Sequence, residues 1–164
     1  MSSVLYNEAK KREDKIVKFL QDAATIPSTS SQEGEVVKFL EKAMKDMGYE
    51  EVIIDGMGNL LGRIGNGPRV IAFDGHCDTV DIGDISLWTK CKPYPSEVRD
   101  GKVYGRGVTD QKGGLITSIV AIAMLKELNM VPENLTIWVV ASVQEEDCDG
   151  LCWQYIIEQS GIRP

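Results

Sequence analysis

Apolar positions Ile16, Val17, Phe19, Leu20, Ala23 and Ala24 recur at helical spacing while lysine, arginine, glutamate and aspartate fill the positions between them. This predicts an amphipathic helix from about Asn7 to Ala24, ended near Pro27. Ser30 followed by Glu33 has the spacing of a capping box, and Val36, Val37, Leu40, Ala43, Met44 and Met47 then mark one face of a second helix that Gly48 stops. "EEVIID", "NLLGRIG" and "PRVIAFD" are β-prone runs separated by "GMGN" and "GNGP", the punctuation of tight reversals, so three strands are expected. Residues 82–99 carry Pro93 and Pro95 with little periodicity and read as a surface loop over a site, leading to the hairpin "EVRDGKVYG" turned at Asp100-Gly101.

"DQKGGLITSIVAIAMLKEL" is apolar on nearly every side, as a helix buried against a sheet must be, and "LTIWVVAS" has the continuous β-branched character of a central strand. "GLCWQYIIEQSGIRP" reads as a last helix with a Gly-Ile-Arg-Pro stop. Helices alternating with strands give an α/β class with a mixed sheet between helices.

Composition narrows the partners. The 164 residues are 43% hydrophobic and 26% charged, which suits one globular domain with a core of its own. A net charge of −7 and an isoelectric point near 4.8 argue against nucleic acid or an anionic membrane as a partner, since both require a basic patch. The first fifteen residues lack the apolar core of a secretory signal, and "LITSIVAIAML" is too short to span a bilayer, so a soluble, cytoplasmic protein is expected. In that compartment Cys77, Cys91, Cys148 and Cys152 are expected as thiols. A four-thiolate zinc module is the alternative they offer, although paired short knuckles are lacking.

Candidate chemistry gathers where predicted strands end. His76, the only histidine, and Asp78 follow "VIAF"; Asp110 follows "GRGVT"; Glu145 and Glu146 follow "LTIWVVASVQ". Open sheets bind ligands beyond their strand ends, so residues distant in the chain can converge there. One imidazole with several carboxylates is a mixed nitrogen and oxygen set suited to zinc, cobalt or manganese. Each residue also has an ordinary reading. A lone histidine is commonly structural, Asp78 could be a turn residue, Asp110 could cap the buried helix, and Glu145, Glu146, Asp147 and Asp149 could form a solvated acidic turn. "GRGVTD" lacks the third glycine of a dinucleotide loop, and "KGG" suits close packing at a helix start.

In order and context, "GHCDTV", "GRGVTDQKGG" and "QEED" resemble the signatures of the co-catalytic dinuclear zinc hydrolases that include aminoacylase, acetylornithine deacetylase and succinyl-diaminopimelate desuccinylase. Within them, "GVTDQKGG" and "SVQEEDCDGLCW" are most similar to the selenium-metabolism-associated hydrolases. The resemblance implies a three-layer α-β-α catalytic domain. It also implies a zinc-dependent metallopeptidase or amidohydrolase holding two Zn2+ per complete site, with Co2+ or Mn2+ as substitutes. By it His76 would ligate one metal, Asp110 would bridge both and Glu146 would ligate the second. Asp78 would hold the other imidazole nitrogen, Glu145 would act as general base, and the Asp110–Gln111 peptide would be cis. Substrates would be N-acyl amino acids or peptides, and homo-oligomers are expected of such enzymes.

The sequence also departs from that pattern. The resemblance calls for another acidic ligand beyond the Glu-Glu pair, a second ligand histidine and an inserted lid domain, whereas this sequence has one histidine. Residues 1–164 are therefore expected to be the N-terminal portion of a metallohydrolase catalytic domain, incomplete at the C-terminus and lacking the lid. Weak metal binding, little turnover and an uncovered sheet edge would follow. Cys77 and Cys148, beside His76 and Glu146 in sequence, are expected near the metals as oxidation-sensitive thiols.

Overall fold

A computed structural model describes residues 2–148 and 150–164. In chain order the elements are α1 (Ser2–Lys11), α2 (Glu13–Thr25), α3 (Gly34–Asp46), β1 (Glu51–Ile54), β2 (Leu60–Ile64), β3 (Arg69–His76), β4 (Glu97–Arg99), β5 (Lys102–Tyr104), α4 (Gly113–Glu127), β6 (Leu135–Ser142), α5 (Glu145–Cys148) and α6 (Leu151–Tyr155). A widened helical turn, Ile156–Ser160, continues α6, and Gly161 at φ 72° ends it. Among the described residues no helix is long and apolar enough to cross a membrane.

The main sheet has the order β1-β2-β6-β3 and is mixed as expected: β1 with β2 and β2 with β6 are antiparallel, while β6 and β3 are parallel. The β-branched run Leu135–Ser142 takes an interior place in it. Side chains alternate across the sheet. Leu60, Ile64, Ile137, Val139 and Ala141 join Val36, Leu40 and Met44 of α3 and Leu115, Ile116 and Ile119 of α4 in the larger core. Leu61 and Val140 face the other way, against Ile156, Ile162 and the partly buried Trp138 and Trp153. Helices thus cover both faces, giving three layers. Gly62 lets α3 approach β2: a Cβ there would lie 2.6 Å from Met44 Sδ and 2.9 Å from Tyr49 Cδ1. Strand β3 forms one edge of the sheet, with Phe73 42% exposed.

Two sequence expectations are corrected. The single helix over residues 7–24 is two helices that meet at Arg12 (φ −103°), the first reaching back to Ser2. Between Glu8 and Lys15 no apolar side chain exceeds alanine, so periodicity could not mark the break. Ser30 and Glu33 do not form a capping box either. The Ser30 hydroxyl donates to Asp78 Oδ2 (2.7 Å), and Glu33 Oε1 accepts from Ser31 N and Gln144 N (both 3.0 Å). Both residues are committed to the site described below.

The predicted hairpin turns where expected, with Asp100 at φ 53° and Gly101 at φ 69°, the pair of positive values that a two-residue connection of this twist requires. The loop before it is pinned to the end of α2. Ser96 Oγ donates to Gln21 O (2.7 Å), and Gln21 Nε2 donates to Ser96 O (3.2 Å).

Candidate metal centre

Parallel pairing of β3 with β6 runs in register from Arg69 opposite Leu135 to His76 opposite Ser142, so both strands end at one edge of the sheet. Cys77 N extends the ladder by donating to Ser142 O (2.9 Å). His76 is buried, with its Nδ1 3.0 Å from the Asp78 carbonyl and 3.5 Å from Asp78 Oδ1. The shorter contact means that Nδ1–H donates to the backbone carbonyl, with the carboxylate as a nearby charge. That bond fixes the tautomer and aims Nε2 outward. Nε2 lies 3.1 Å from Asp110 Oδ1 and 3.7 Å from Glu145 Oε2. The Asp78 carboxylate above all, with the Asp78 carbonyl and Asp110, raises the imidazole to about 9 against the opposing effect of burial.

Asp110 reaches this point through an irregular turn. Gly107 sits at φ 74°, and a Cβ on it would lie 2.5 Å from Thr79 Cγ2, so both its backbone and its packing favour glycine. Asp110 itself is non-helical (φ −116°, ψ 102°), and its bond to Gln111 is cis, as the family resemblance implied. A Cβ on Gly113 would lie 2.5 Å from Val108 O, which accounts for glycine at the start of α4. Lys112, 1% exposed, ties the turn to the end of α2 by donating to Ala23 O (3.1 Å) and Ile26 O (2.9 Å); burial lowers its ammonium to about 8. The alternative role of Asp110 as helix cap is not adopted: α4 has no side-chain cap bond, and the Asp110 side chain, 75% exposed, turns to His76.

Glu145 and Glu146 open α5, just past β6. Their backbone is held by side chains. Val143 N donates to Asn59 Oδ1 (3.0 Å), Gln144 N to Glu33 Oε1 (3.0 Å), Glu145 N to Asp78 Oδ1 (3.2 Å) and Glu146 N to Asp78 Oδ2 (3.2 Å). Burial, the largest single influence on Asp78, would raise its carboxyl. The nearby His76 imidazole, together with the hydrogen bonds from Ser30 and the Glu146 and Glu145 amides, outweighs it and leaves the group below its ordinary value.

One ligand atom from each of His76, Asp110 and Glu146 can be chosen so that all lie within 4.8 Å of one another, the one such group of three among the described residues. An imidazole nitrogen with two carboxylate oxygens at that spacing fits a divalent zinc-like cation. Glu145 stands beside the group, 44% exposed, with Asp147 exposed beyond it; Asp149 lies outside the described residues. Sequence reasoning missed Glu33, Asn59 and the Ser30–Asp78 bond. The S-x-x-E spacing was a visible signal for two of these, but its partners lie about fifty and over a hundred residues away.

The cysteines are free, and no group of three ligands containing them is found among the described residues, which leaves the thiolate-zinc alternative without support. The expectation of an oxidation-sensitive Cys77 is corrected. Its thiol is fully buried, and burial pushes its ionisation far above the ordinary range, so little reactive thiolate forms.

A mixed sheet layered between helices, with an imidazole and carboxylates at the ends of its parallel strands, is an α/β fold carrying a candidate metal centre. The chain belongs to Peptidase family M20/M25/M40, which it matches over residues 72–163. It is 47% identical over 161 residues to the Escherichia coli protein named "Uncharacterized protein YgeY", covering 98% of this chain and 40% of that one. It is 36% identical over 137 residues to a "Probable succinyl-diaminopimelate desuccinylase" of Staphylococcus epidermidis, covering 82% of this chain and 33% of the relative. The chain therefore spans well under half the length of these curated relatives. Among solved structures, human carnosine dipeptidase 1 superposes with a TM-score of 0.80 at 20% identity, over 96% of this chain and 37% of that one. Aminopeptidase PepT from Bacillus cereus does so with a TM-score of 0.67 at 26% identity, over 91% of this chain and 40% of the other. The family and three-layer fold implied by the sequence motifs are those found.

Proposed function

We propose that this chain carries the catalytic-side metal centre of a hydrolase of amide or peptide bonds, of the deacylase or peptidase type. The observation that carries this reading is the convergence of His76, Asp110 and Glu146 donor atoms within 4.8 Å of one another at the ends of β3 and β6. His76, Asp110 and Glu146 would hold the cation, and Asp110 would be shared with a second one. Zinc is the proposed metal, two per complete site, with Co2+ or Mn2+ as substitutes. A divalent cation bound there supplies Lewis acidity, which lowers the pKa of a water and polarises a substrate carbonyl.

The chain's own residues do the rest. Asp78 O accepts from His76 Nδ1–H and so keeps Nε2 facing the centre (Nδ1 to O, 3.0 Å). Glu145, whose Oε2 is 3.7 Å from His76 Nε2, would take a proton from the attacking water as its oxygen bonds to the acyl carbon. It would return that proton to the departing amine as the C–N bond breaks, giving a carboxylic acid and an amine. N-acyl amino acids and small peptides are the proposed substrates, a class consistent with the names of the desuccinylase and dipeptidase relatives. With one histidine in its sequence, the 164-residue chain is proposed to bind one cation weakly and to turn substrate over slowly or not at all.

Calorimetric titration with Zn2+, Co2+ and Mn2+ tests the reading. His76→Ala should reduce affinity at least about a hundredfold, as loss of a direct ligand must exceed the ~10–100-fold cost of losing a supporting group, and Glu145→Gln should leave affinity nearly unchanged. In the longer polypeptide that spans the relatives' full length, Glu145→Gln should abolish hydrolysis of an N-acyl amino acid and dipeptide panel while metal stays bound. Normal hydrolysis by that variant would overturn the general-base role, and unchanged affinity in His76→Ala would overturn the metal centre.

A further inference from the structure

The β6 ladder ends where Ser142 O accepts from Cys77 N (2.9 Å), and among the described residues no strand pairs with the chain just beyond it. Four successive amides nevertheless each meet a side-chain acceptor, in the order Asn59, Glu33, Asp78 and Asp78, at 3.0 to 3.2 Å. All three acceptors are nine-tenths or more buried: Asn59 and Asp78 are 0% exposed and Glu33 is 6%. They come from the turn after β1, the approach to α3 and the end of β3, so three separate parts of the chain fix one four-residue segment. Asn59 is itself oriented, because its Nδ2 donates to Asp55 Oδ2 (2.9 Å) while Asp55 Oδ1 accepts from the Met57, Gly58 and Asn59 amides.

Ordinary satisfaction of a buried loop's amides would account for some of this. Two observations go further. Gln144 stands at φ 57°, a left-handed conformation that L residues with a Cβ disfavour, so the direction in which the chain leaves β6 is imposed by its surroundings. The amide of that same residue is the one Glu33 receives, and the next two residues are the proposed base and the proposed ligand. A shift in the Gln144 turn would therefore displace both glutamates relative to His76 and Asp110, which are held by other elements.

Resting on the proposed metal centre, we infer that Glu33 and Asn59 are positioning residues: by receiving the Gln144 and Val143 amides they set where Glu145 and Glu146 leave the sheet, and so set the cation affinity of His76, Asp110 and Glu146. Neither residue supplies one of the three donor atoms. Glu33 acts by its acceptor oxygen and not by its charge, so a glutamine that keeps a carbonyl at the same reach should replace it.

Two measurements on the 164-residue chain decide this: Co2+ affinity by calorimetry, and amide hydrogen exchange resolved by residue. Glu33→Leu should weaken Co2+ binding about tenfold or more and accelerate exchange at Gln144, Glu145 and Glu146, leaving the β6 interior at Ile137 and Val139 unchanged. Glu33→Gln should stay within about threefold of the unsubstituted chain in affinity, against the ~10–100-fold typical of a lost supporting group. Should Glu33→Leu fail to fold, Glu33→Asp withdraws the oxygen by one methylene in a milder way and should move both readouts in the same direction. A variant without the acceptor that retains affinity and local exchange, whatever its melting temperature, overturns the inference. Because His76→Ala tests the metal centre separately, a chain that binds no Co2+ refutes that reading, and the exchange pattern still decides the positioning.

Discussion

Replacing Asp78 with asparagine tests the hub of the site with a change of one atom. The wild-type carboxylate is fully buried and receives three hydrogen bonds, from Ser30 Oγ (2.7 Å), Glu145 N and Glu146 N (both 3.2 Å), with His76 Nδ1 3.5 Å away. Asparagine offers one oxygen, so one of the two glutamate amides must face an NH2 group. The Ser30 hydroxyl can rotate to accept and escapes that conflict. An orphaned buried amide costs about 1–3 kcal/mol, and each surviving bond falls from the charged class (~1.5–3 kcal/mol) to the neutral one (~0.5–1.5 kcal/mol). Relief from burying a charge offsets part of this, leaving a net loss on the order of 2–4 kcal/mol. Urea denaturation of both proteins at neutral pH measures it, with unchanged m-values as the check that the same two states are compared. Co2+ affinity should fall ~10–100-fold in the folded variant, because the segment carrying Glu146 loses its anchor. An Asp78→Asn protein within about 0.5 kcal/mol of wild type, well below the ~1–3 kcal/mol of an orphaned amide, would refute the reasoning.

Gly107→Ala should cost about 2 kcal/mol or more, since the residue sits at φ 74° and the new Cβ meets Thr79 Cγ2 at 2.5 Å; thermal unfolding reads the loss, and Co2+ affinity should fall with it as the Asp110 turn shifts. Tyr49→Phe removes the hydroxyl that donates to Ile119 O (2.9 Å) and should cost ~1 kcal/mol near neutral pH. Burial raises the Tyr49 phenol above its ordinary value of 10.0, so its contribution is complete below that value and is lost as the unfolded chain's phenol ionises at higher pH. The stability gap between wild type and Tyr49→Phe should therefore narrow as pH rises past about 10, as stability curves against pH would show. Alkylation of the native protein, followed by peptide mapping, should modify the half-exposed Cys91 and Cys148 and spare the buried Cys77 and Cys152; rapid labelling of Cys77 would contradict its burial.

Much of the architecture was legible because it is written in local periodicity. The continuous β-branched run 135–142 has an apolar residue for each face, and such a strand can only lie inside a sheet. The apolar stretch after Gly113 forms the helix packed on that sheet, leaving only the strip of Gly114, Thr117, Ala121 and Glu127 exposed. The break at Arg12 was not legible, because between Glu8 and Lys15 no apolar side chain larger than alanine could show the stripe of α2 losing phase. For the site, the sequence offered the residue types and their positions at strand ends, and the parallel register of β3 with β6 turned those positions into proximity. It could not offer the hydrogen bonds across the molecule that hold Glu145 and Glu146. Ser30 and Glu33 had the letters of a helix cap, and only their distance to Asp78 and Gln144 in three dimensions assigns them to the site.

We propose that His76, Asp110 and Glu146 face one cation. Crystals grown with Zn2+ and measured on both sides of the zinc absorption edge test it most directly. An anomalous difference peak is expected between His76 Nε2, the Asp110 carboxylate and the Glu146 carboxylate, lost in His76→Ala crystals; zinc found only elsewhere, or at the cysteines, would rule out a shared site for these three residues.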